Sequence, residues 1–278
     1  MSFIHLYGRS GSGKTTLACT MTKLGHKVRI IDVDNKANDM VNLQPLIRSK
    51  QVVIQTMRTK LTEATLRDRI TKTVHTPKGG FALAPPLKQP TGYLEFADIM
   101  DNLSKLKEEG KKDPDGCTVL VAPDSMTTLL EHLKRLILFL SKTGKFGFDE
   151  WAAWLSNLEE ILHTLQNLLG MYEHVIVISH ELVERDEDTG RIVGVFPFIE
   201  GSMRYKIGDY FSETYHTIVE VPKEGKPRYY VETRSVNKAE ARTSRDLATF
   251  EESDFAVLFK EELTNHKPVR SMKGGKAG

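Results

Sequence analysis

The run Gly8-Arg9-Ser10-Gly11-Ser12-Gly13-Lys14-Thr15 combines, near the start of the chain, the residue types that hold a phosphate. Its spacing is G-x-x-x-x-G-K-T. Glycines at 8 and 13 let backbone N–H groups turn inward around an anion. Lys14 is placed to reach the β- and γ-phosphates of a nucleoside triphosphate, and the Thr15 hydroxyl to ligate Mg²⁺. The flanks agree with this reading. Ile4-His5-Leu6-Tyr7 is a short apolar strand, and Thr16 to Leu24 is helix-forming, so bound phosphates would sit at a helix N-terminus, where the dipole favours negative charge. Arg9, Ser10, Gly11, Ser12 and Thr16 complete the expected nucleotide-binding set, with ATP and Mg²⁺ as the ligands.

A phosphate loop of this kind needs a second carboxylate to hold the metal, delivered from the end of a buried strand. Thr118-Val119-Leu120-Val121-Ala122 is such a strand, and Asp124 follows it. Asp124 is therefore the metal candidate, with capping of the next helix as its other reading. Hydrolysis needs a group that orients or deprotonates water. Asp32 and Asp34 end the strand read over Lys27 to Asp34, and alternate residues of a strand share a face. Asp34 is preferred because it lies further past the strand end, although both carboxylates could simply cap the following loop. His180 ends the apolar strand His174 to Ser179, on the phosphate side, where it would hydrogen-bond the γ-phosphate or serve as a structural histidine.

These groups must be positioned by an α/β scaffold. Further strands are expected at Gln51–Gln55, Ile192–Phe196, Ser212–Val221 and Arg228–Thr233. Helices are expected over Thr59–Lys72, Tyr93–Glu109, Met126–Leu140, Asp149–Leu169, Glu200–Tyr210 and Phe250–Glu262, with a proline- and glycine-rich loop over 75–92. Trp151 and Trp154 fall on the apolar stripe of the helix over 149–169 and are expected in the core. With 278 residues, 40% hydrophobic content and a formal charge of +2, the chain reads as one large domain with a tail: a core over 1–235 and an extension over 236–278 that ends in a basic stretch from His266. The charge neither requires nor excludes nucleic acid. Cys19 and Cys117 form no metal-ligand spacing and are read as reduced core thiols, which points to the cytoplasm. The first residues are strand and phosphate loop rather than a leader, and no apolar run approaches the ~20 residues of a membrane helix.

The chain resembles RecA-like ATPases, and more narrowly is similar to short phage-encoded members that act in single-strand annealing and recombination. The segments that carry the resemblance are Gly8–Thr15, Ile31-Asp32-Val33-Asp34, Val119–Ser125, Ile176–Glu181 and the sheet-like stretch to Thr233. It implies a RecA-like P-loop core, mostly parallel, with antiparallel strands added near the C-terminus. It also implies ATP hydrolysis, single-stranded DNA and a single-strand DNA-binding protein as partners, nucleotide held between copies of a homo-oligomer, no membrane, and the host cytoplasm for a phage-encoded chain. The family's water-activating residue, usually Glu, maps onto Asp34, and its polar sensor, commonly Gln, onto His180. Its DNA-contacting loop maps onto Glu181–Tyr210, which makes Arg191, Arg204, Tyr205 and Lys206 DNA candidates, since bases stack on aromatics while cations neutralise phosphates. Lys238 and Arg242 are candidates to act on a neighbour's γ-phosphate, or else solvated surface charge. Two other readings remain open at this level: a small-molecule kinase using the same loop, and a nucleotide-gated interaction module that does not hydrolyse ATP.

Overall fold

A computed structural model describes residues 1–57, 74–75, 81–82, 90–141, 145–236 and 238–265. The helix expected over Thr59–Lys72, most of the loop over 75–92 and the basic tail from His266 lie outside the described residues.

The apolar runs form the centre of a nine-stranded sheet. Strands β1 (Ser2–Gly8), β2 (Val28–Asp32) and β6 (Val119–Asp124) are buried along their whole length, in keeping with their predominantly apolar sequence and a sheet covered on both faces. β3 (Val52–Thr56) lies beside β2, and β7 (His174–Arg185) lies between β6 and β1. β9 (Glu213–Glu220) pairs parallel with β1 on its other side. The parallel order is thus β9-β1-β7-β6-β2-β3. Strands β10 (Arg228–Glu232) and β11 (Phe250–Glu252) extend the β9 edge antiparallel, and β8 (Ile192–Pro197) pairs antiparallel with the outer half of β7. Apart from this sheet, β4 (Val74–His75) and β5 (Phe81–Ala82) pair antiparallel with each other. This is the expected α/β architecture, a RecA-like P-loop core with antiparallel strands towards the C-terminus.

Helices cover both faces. On one, α3 (Gly92–Glu108), α4 (Met126–Leu140) and α5 (Phe148–Asn167) bury Phe96, Met100, Leu129, Leu133, Leu158 and Leu162 against the sheet. On the other, α1 (Lys14–Cys19), the 3₁₀ turn Thr20–Leu24 and α6 (Phe255–Leu258) bury Leu17, Met21, Leu24, Phe255 and Phe259. Short α2 (Gln44–Arg48) precedes β3, and α7 (Lys260–Asn265) closes the described chain. Among the described residues no helix is long and apolar enough to cross a membrane. Cys19 and Cys117 are free and buried.

Several expectations are corrected. The strand expected to end at Ser179 runs on to Arg185, because β8 supplies hydrogen-bonding partners for its outer half. The helix expected over 200–210 is two 3₁₀ turns, Gly201–Tyr205 and Ile207–Tyr210, broken where Lys206 takes φ −119° and ψ −17°. The helix expected from Phe250 begins instead as β11, since Phe250–Glu252 pairs with Tyr230–Glu232, and Asp254 then caps α6 by accepting from Ala256 N at 2.9 Å. Trp154 is buried as expected, but Trp151 remains 38% exposed, edge-on to Phe146 with the Lys134 ammonium 5.4 Å from its ring centre.

Candidate nucleotide-binding site

The carboxyl ends of β1, β2 and β6 meet the middle of β7, where His180 lies beside Gly8, at one edge of the sheet, the position where open α/β folds bind ligands. There a cleft of about 630 Å³ opens, lined by the phosphate loop, the β2 and β6 carboxylates, His180 and Tyr229.

The loop between β1 and α1 is held by close packing. A Cβ on Gly8 would lie 2.3 Å from Thr217 Oγ1 and 2.5 Å from Thr217 O, so only glycine lets the loop leave β1 beside β9. Ser12 Oγ and Thr217 Oγ1 share a 2.6 Å hydrogen bond beneath it. Gly13 takes the left-handed conformation, φ +85°, immediately before α1. Lys14 Nζ donates to Gly8 O at 2.7 Å and Arg9 O at 2.8 Å. Burial lowers its pKa to about 8 against the opposing pull of Asp124, Glu181 and Asp34.

The two metal candidates already touch. Thr15 Oγ1 donates to Asp124 Oδ2 at 2.8 Å. Burial raises the Asp124 carboxyl to about 6, and the charges of Asp34 and Asp32 add to the rise despite Thr15 and Lys14. An all-oxygen set of hydroxyl and carboxylate, crowded with negative charge, is the chemistry a Mg²⁺ ion stabilises. Helix capping, the other reading of Asp124, falls instead to Ser125, whose Oγ accepts from Thr128 N at 3.4 Å.

Asp32 and Asp34 separate in role. Asp32 accepts from Ala37 N at 2.9 Å and Lys36 N at 3.3 Å, so it caps the loop after β2. Asp34 reaches across the cleft, where Ser125 Oγ donates to its Oδ1 at 3.1 Å and His180 Nε2 lies 3.6 Å from its Oδ2. Burial works against ionisation of Asp34, yet His180, Thr128, Ser125 and Lys36 hold it well below the usual carboxylate range. The structure thereby brings together residues that lie far apart in the chain.

The remaining candidates lie elsewhere. Arg191 and Lys206 are exposed on the β7–β8 hairpin and the turns after it. Arg204 donates to Glu184 Oε1 at 2.6 Å, and Tyr205 OH donates to the same carboxylate at 3.0 Å. Lys238 and Arg242 do not line the cleft: Lys238 Nζ donates to Ile192 O, and Arg242 donates to Phe211 O, with Asp209 3.6 Å away.

Sequence reasoning missed two features. His216 bridges Glu181, at 2.9 Å, and Glu232, at 3.1 Å, so a buried acid–imidazole–acid chain links β7 to β9 and β10 next to the phosphate loop. Burial opposes ionisation of Glu181, but His216 and Lys14 hold it below the ordinary glutamate range. Tyr229 brings its ring close enough to Gly13 that an added Cβ would sit 3.2 Å away. No local pattern marks either, because both arise from β9 and β10 lying beside β1.

A parallel sheet with a G-x-x-x-x-G-K-T loop at the carboxyl end of β1, a hydroxyl–carboxylate pair and a polar group on the neighbouring strand defines a P-loop ATPase domain of RecA-like type. A family described as AAA domain matches residues 3–244, and the chain belongs to that family. No curated protein sequence matches it. Among solved structures it is similar to the flagellar accessory protein FlaH from Methanocaldococcus jannaschii, with 10% identity, a TM-score of 0.40, and coverage of 87% of this chain and 82% of that one.

Proposed function

We propose that this ATPase domain binds ATP–Mg²⁺, hydrolyses it slowly, and uses the bound nucleotide to control binding of single-stranded DNA and the pairing of complementary strands. The observation that carries the nucleotide part is the convergence of Lys14, the Thr15–Asp124 pair and the Asp34–His180 pair on one cleft. Lys14 would exchange the Gly8 and Arg9 carbonyls for β- and γ-phosphate oxygens. Thr15 and Asp124 would hold the Mg²⁺, which supplies charge neutralisation when bound. Asp34, held below the usual carboxylate range by His180, Thr128, Ser125 and Lys36, would orient the attacking water as a fixed acceptor. The loop N–H groups and the N-terminus of α1 stabilise charge on the phosphates.

The DNA part rests on the resemblance and on the continuity of β7. His180 faces Asp34, and the same strand continues into the β7–β8 hairpin. A change at the γ-phosphate is therefore connected to the hairpin through the backbone of one strand. Arg204 is neutralised by Glu184, so Arg191 and Lys206 would carry the salt-dependent contacts. Lys238 and Arg242, which lie away from their own cleft, would act only on a neighbouring copy in a homo-oligomer, after leaving their present carbonyl partners.

Phosphate release with and without single-stranded DNA, beside binding titrations at several salt concentrations, tests the reading. ATP-dependent binding of single strands, stronger than of duplex and weakening linearly in log affinity against log salt, is expected. Absence of single-strand binding at low salt with ATP present would remove the DNA part and favour a kinase. DNA binding without any hydrolysis would leave a nucleotide-gated module.

A further inference from the structure

At the end of the sheet opposite the phosphate loop, ligand-type side chains from three distant parts of the chain meet. His26 precedes β2, His174 opens β7, and Glu262 lies on α7. Their ligand atoms all fall within 4.8 Å of one another. Glu262 Oε2 is 3.4 Å from His174 Nε2 and 3.6 Å from His26 Nε2. Both imidazoles are buried, with only 4% and 2% of the His26 and His174 side chains exposed, against 23% for Glu262.

The geometry is unusual for hydrogen bonding and ordinary for metal binding. Two imidazole nitrogens converge on one carboxylate oxygen at separations longer than the ~2.7–2.9 Å of a charge-assisted hydrogen bond. Metal–ligand bonds of ~2.0–2.1 Å in a tetrahedron give ligand–ligand edges of about 3.3–3.4 Å, close to the two His–Glu distances here. The surroundings orient the donors. Thr118 Oγ1 lies 3.0 Å from His26 Nδ1, the outer hydrogen bond that turns a metal-binding ring's other nitrogen inward. His174 Nδ1 is buried with no hydrogen-bond partner among the described residues, so the polar contact of that ring is made through Nε2. Arg245 faces the second oxygen of Glu262 at 3.6 Å and lies over the Phe259 ring, leaving Oε2 to the histidines.

We propose that His26, His174 and Glu262 bind a zinc-class divalent cation that pins the C-terminal segment onto the core. Two imidazoles and one carboxylate suit Zn²⁺, with water as a fourth ligand on the exposed side of Glu262, and they suit Mg²⁺ poorly, because Mg²⁺ prefers oxygen. The site is thus chemically distinct from the oxygen set at Thr15 and Asp124. Its structural consequence follows from position. Phe255 and Phe259, fully buried against the α1 face, reach the core only if the segment carrying α6 and α7 stays docked, and a cation joining Glu262 to the amino ends of β2 and β7 would hold it there.

The test uses the full chain, stripped with a chelator and titrated with Zn²⁺, and with Co²⁺ as a spectroscopic probe. Binding of a single equivalent, visible Co²⁺ bands of a four-coordinate nitrogen–oxygen site, and a rise in Tm on adding Zn²⁺ are expected. Glu262→Gln and His174→Gln should each weaken Zn²⁺ by more than ~100-fold and remove the rise in Tm, while Thr118→Val should weaken it roughly 10–100-fold, the usual cost of losing an outer-shell partner. Lys14→Ala and Asp124→Asn should leave the Zn²⁺ stoichiometry unchanged, which separates this site from the nucleotide cleft. Failure of the wild-type chain to bind Zn²⁺ would overturn the proposal without recourse to any variant. So would an unchanged affinity and Co²⁺ spectrum in folded Glu262→Gln and His174→Gln proteins.

Discussion

Replacing Asp34 with asparagine separates binding of nucleotide from its hydrolysis. The substitution keeps the size of the side chain and the carbonyl oxygen that accepts from Ser125 Oγ at 3.1 Å, so the Asp34–Ser125 link across the cleft survives. It removes the negative charge that His180, Thr128, Ser125 and Lys36 stabilise. Lys14, Thr15 and Asp124 are untouched, so ATP–Mg²⁺ affinity should change little. Positioned acid–base groups contribute roughly 10²–10⁴-fold, and Asp34 belongs near the lower end. A carboxylate held far below its usual range is a weak proton acceptor, so most of its effect is orientation of the water. The expected loss is therefore ~10²-fold in single-turnover hydrolysis, about 2.7 kcal/mol of barrier. Asp124→Asn provides the contrast: without the carboxylate that Thr15 Oγ1 contacts at 2.8 Å, Mg²⁺ dependence and nucleotide affinity should fall together. The assay is single-turnover phosphate release beside calorimetric affinity for both variants. Wild-type turnover in Asp34→Asn would refute the reasoning and exclude Asp34 from the chemistry. Loss of ATP affinity in that variant would show that the residue serves binding instead.

Lys14→Ala should weaken ATP by roughly 10–100-fold, since a hydrogen bond to a charged group contributes about 1.5–3 kcal/mol; calorimetry with undiminished affinity would overturn the assignment of the loop. Asp113 is a stability site away from the cleft: Arg29 Nε donates to its Oδ2 at 2.6 Å and Tyr172 OH at 2.6 Å, with the Asp113 side chain fully buried. Asp113→Asn removes the buried charge opposite that guanidinium and leaves it only the half-exposed carboxylate of Asp115 as a charged partner among the described residues, and should cost about 3 kcal/mol, at the low end for breaking a buried pair, seen as a lower Tm in a thermal melt. Burial opposes ionisation of Asp113, but Arg29 and Tyr172 lower its pKa to about 2. Its contribution is therefore complete above the unfolded carboxylate range near ~4 and is lost as pH falls through about 2. Acid unfolding of the wild type should show this loss, and Asp113→Asn should show less of it.

The sequence by itself determined the local chemistry of the cleft and the elements that carry it. Gly8 to Thr15 is contiguous, so strand, loop and helix N-terminus are specified within a few residues. Predominantly apolar runs at β1, β2, β6 and the first half of β7 have the pattern of strands buried on both faces, and the residues that follow those runs then lie where such sheets bind ligands. Asp34, Asp124 and His180 were legible for that reason. The tertiary structure alone decided which neighbours these strands have. Burial patterns report that a strand is covered, not what lies beside it. The insertion of β9 next to β1, the seating of Thr217 under Gly8, and the Glu181–His216–Glu232 chain therefore leave no local signature. The same holds for the segment after 235, expected as an extension of the core. There, β11 joins the sheet by pairing with β10, and Phe255 and Phe259 enter the core against α1 and the 3₁₀ turn after it, more than two hundred positions earlier in the chain. His26, His174 and Glu262 are the extreme case: their sequence spacing says nothing of a common site, and only the parallel alignment of β2 and β7, with α7 folded beneath them, brings the three together.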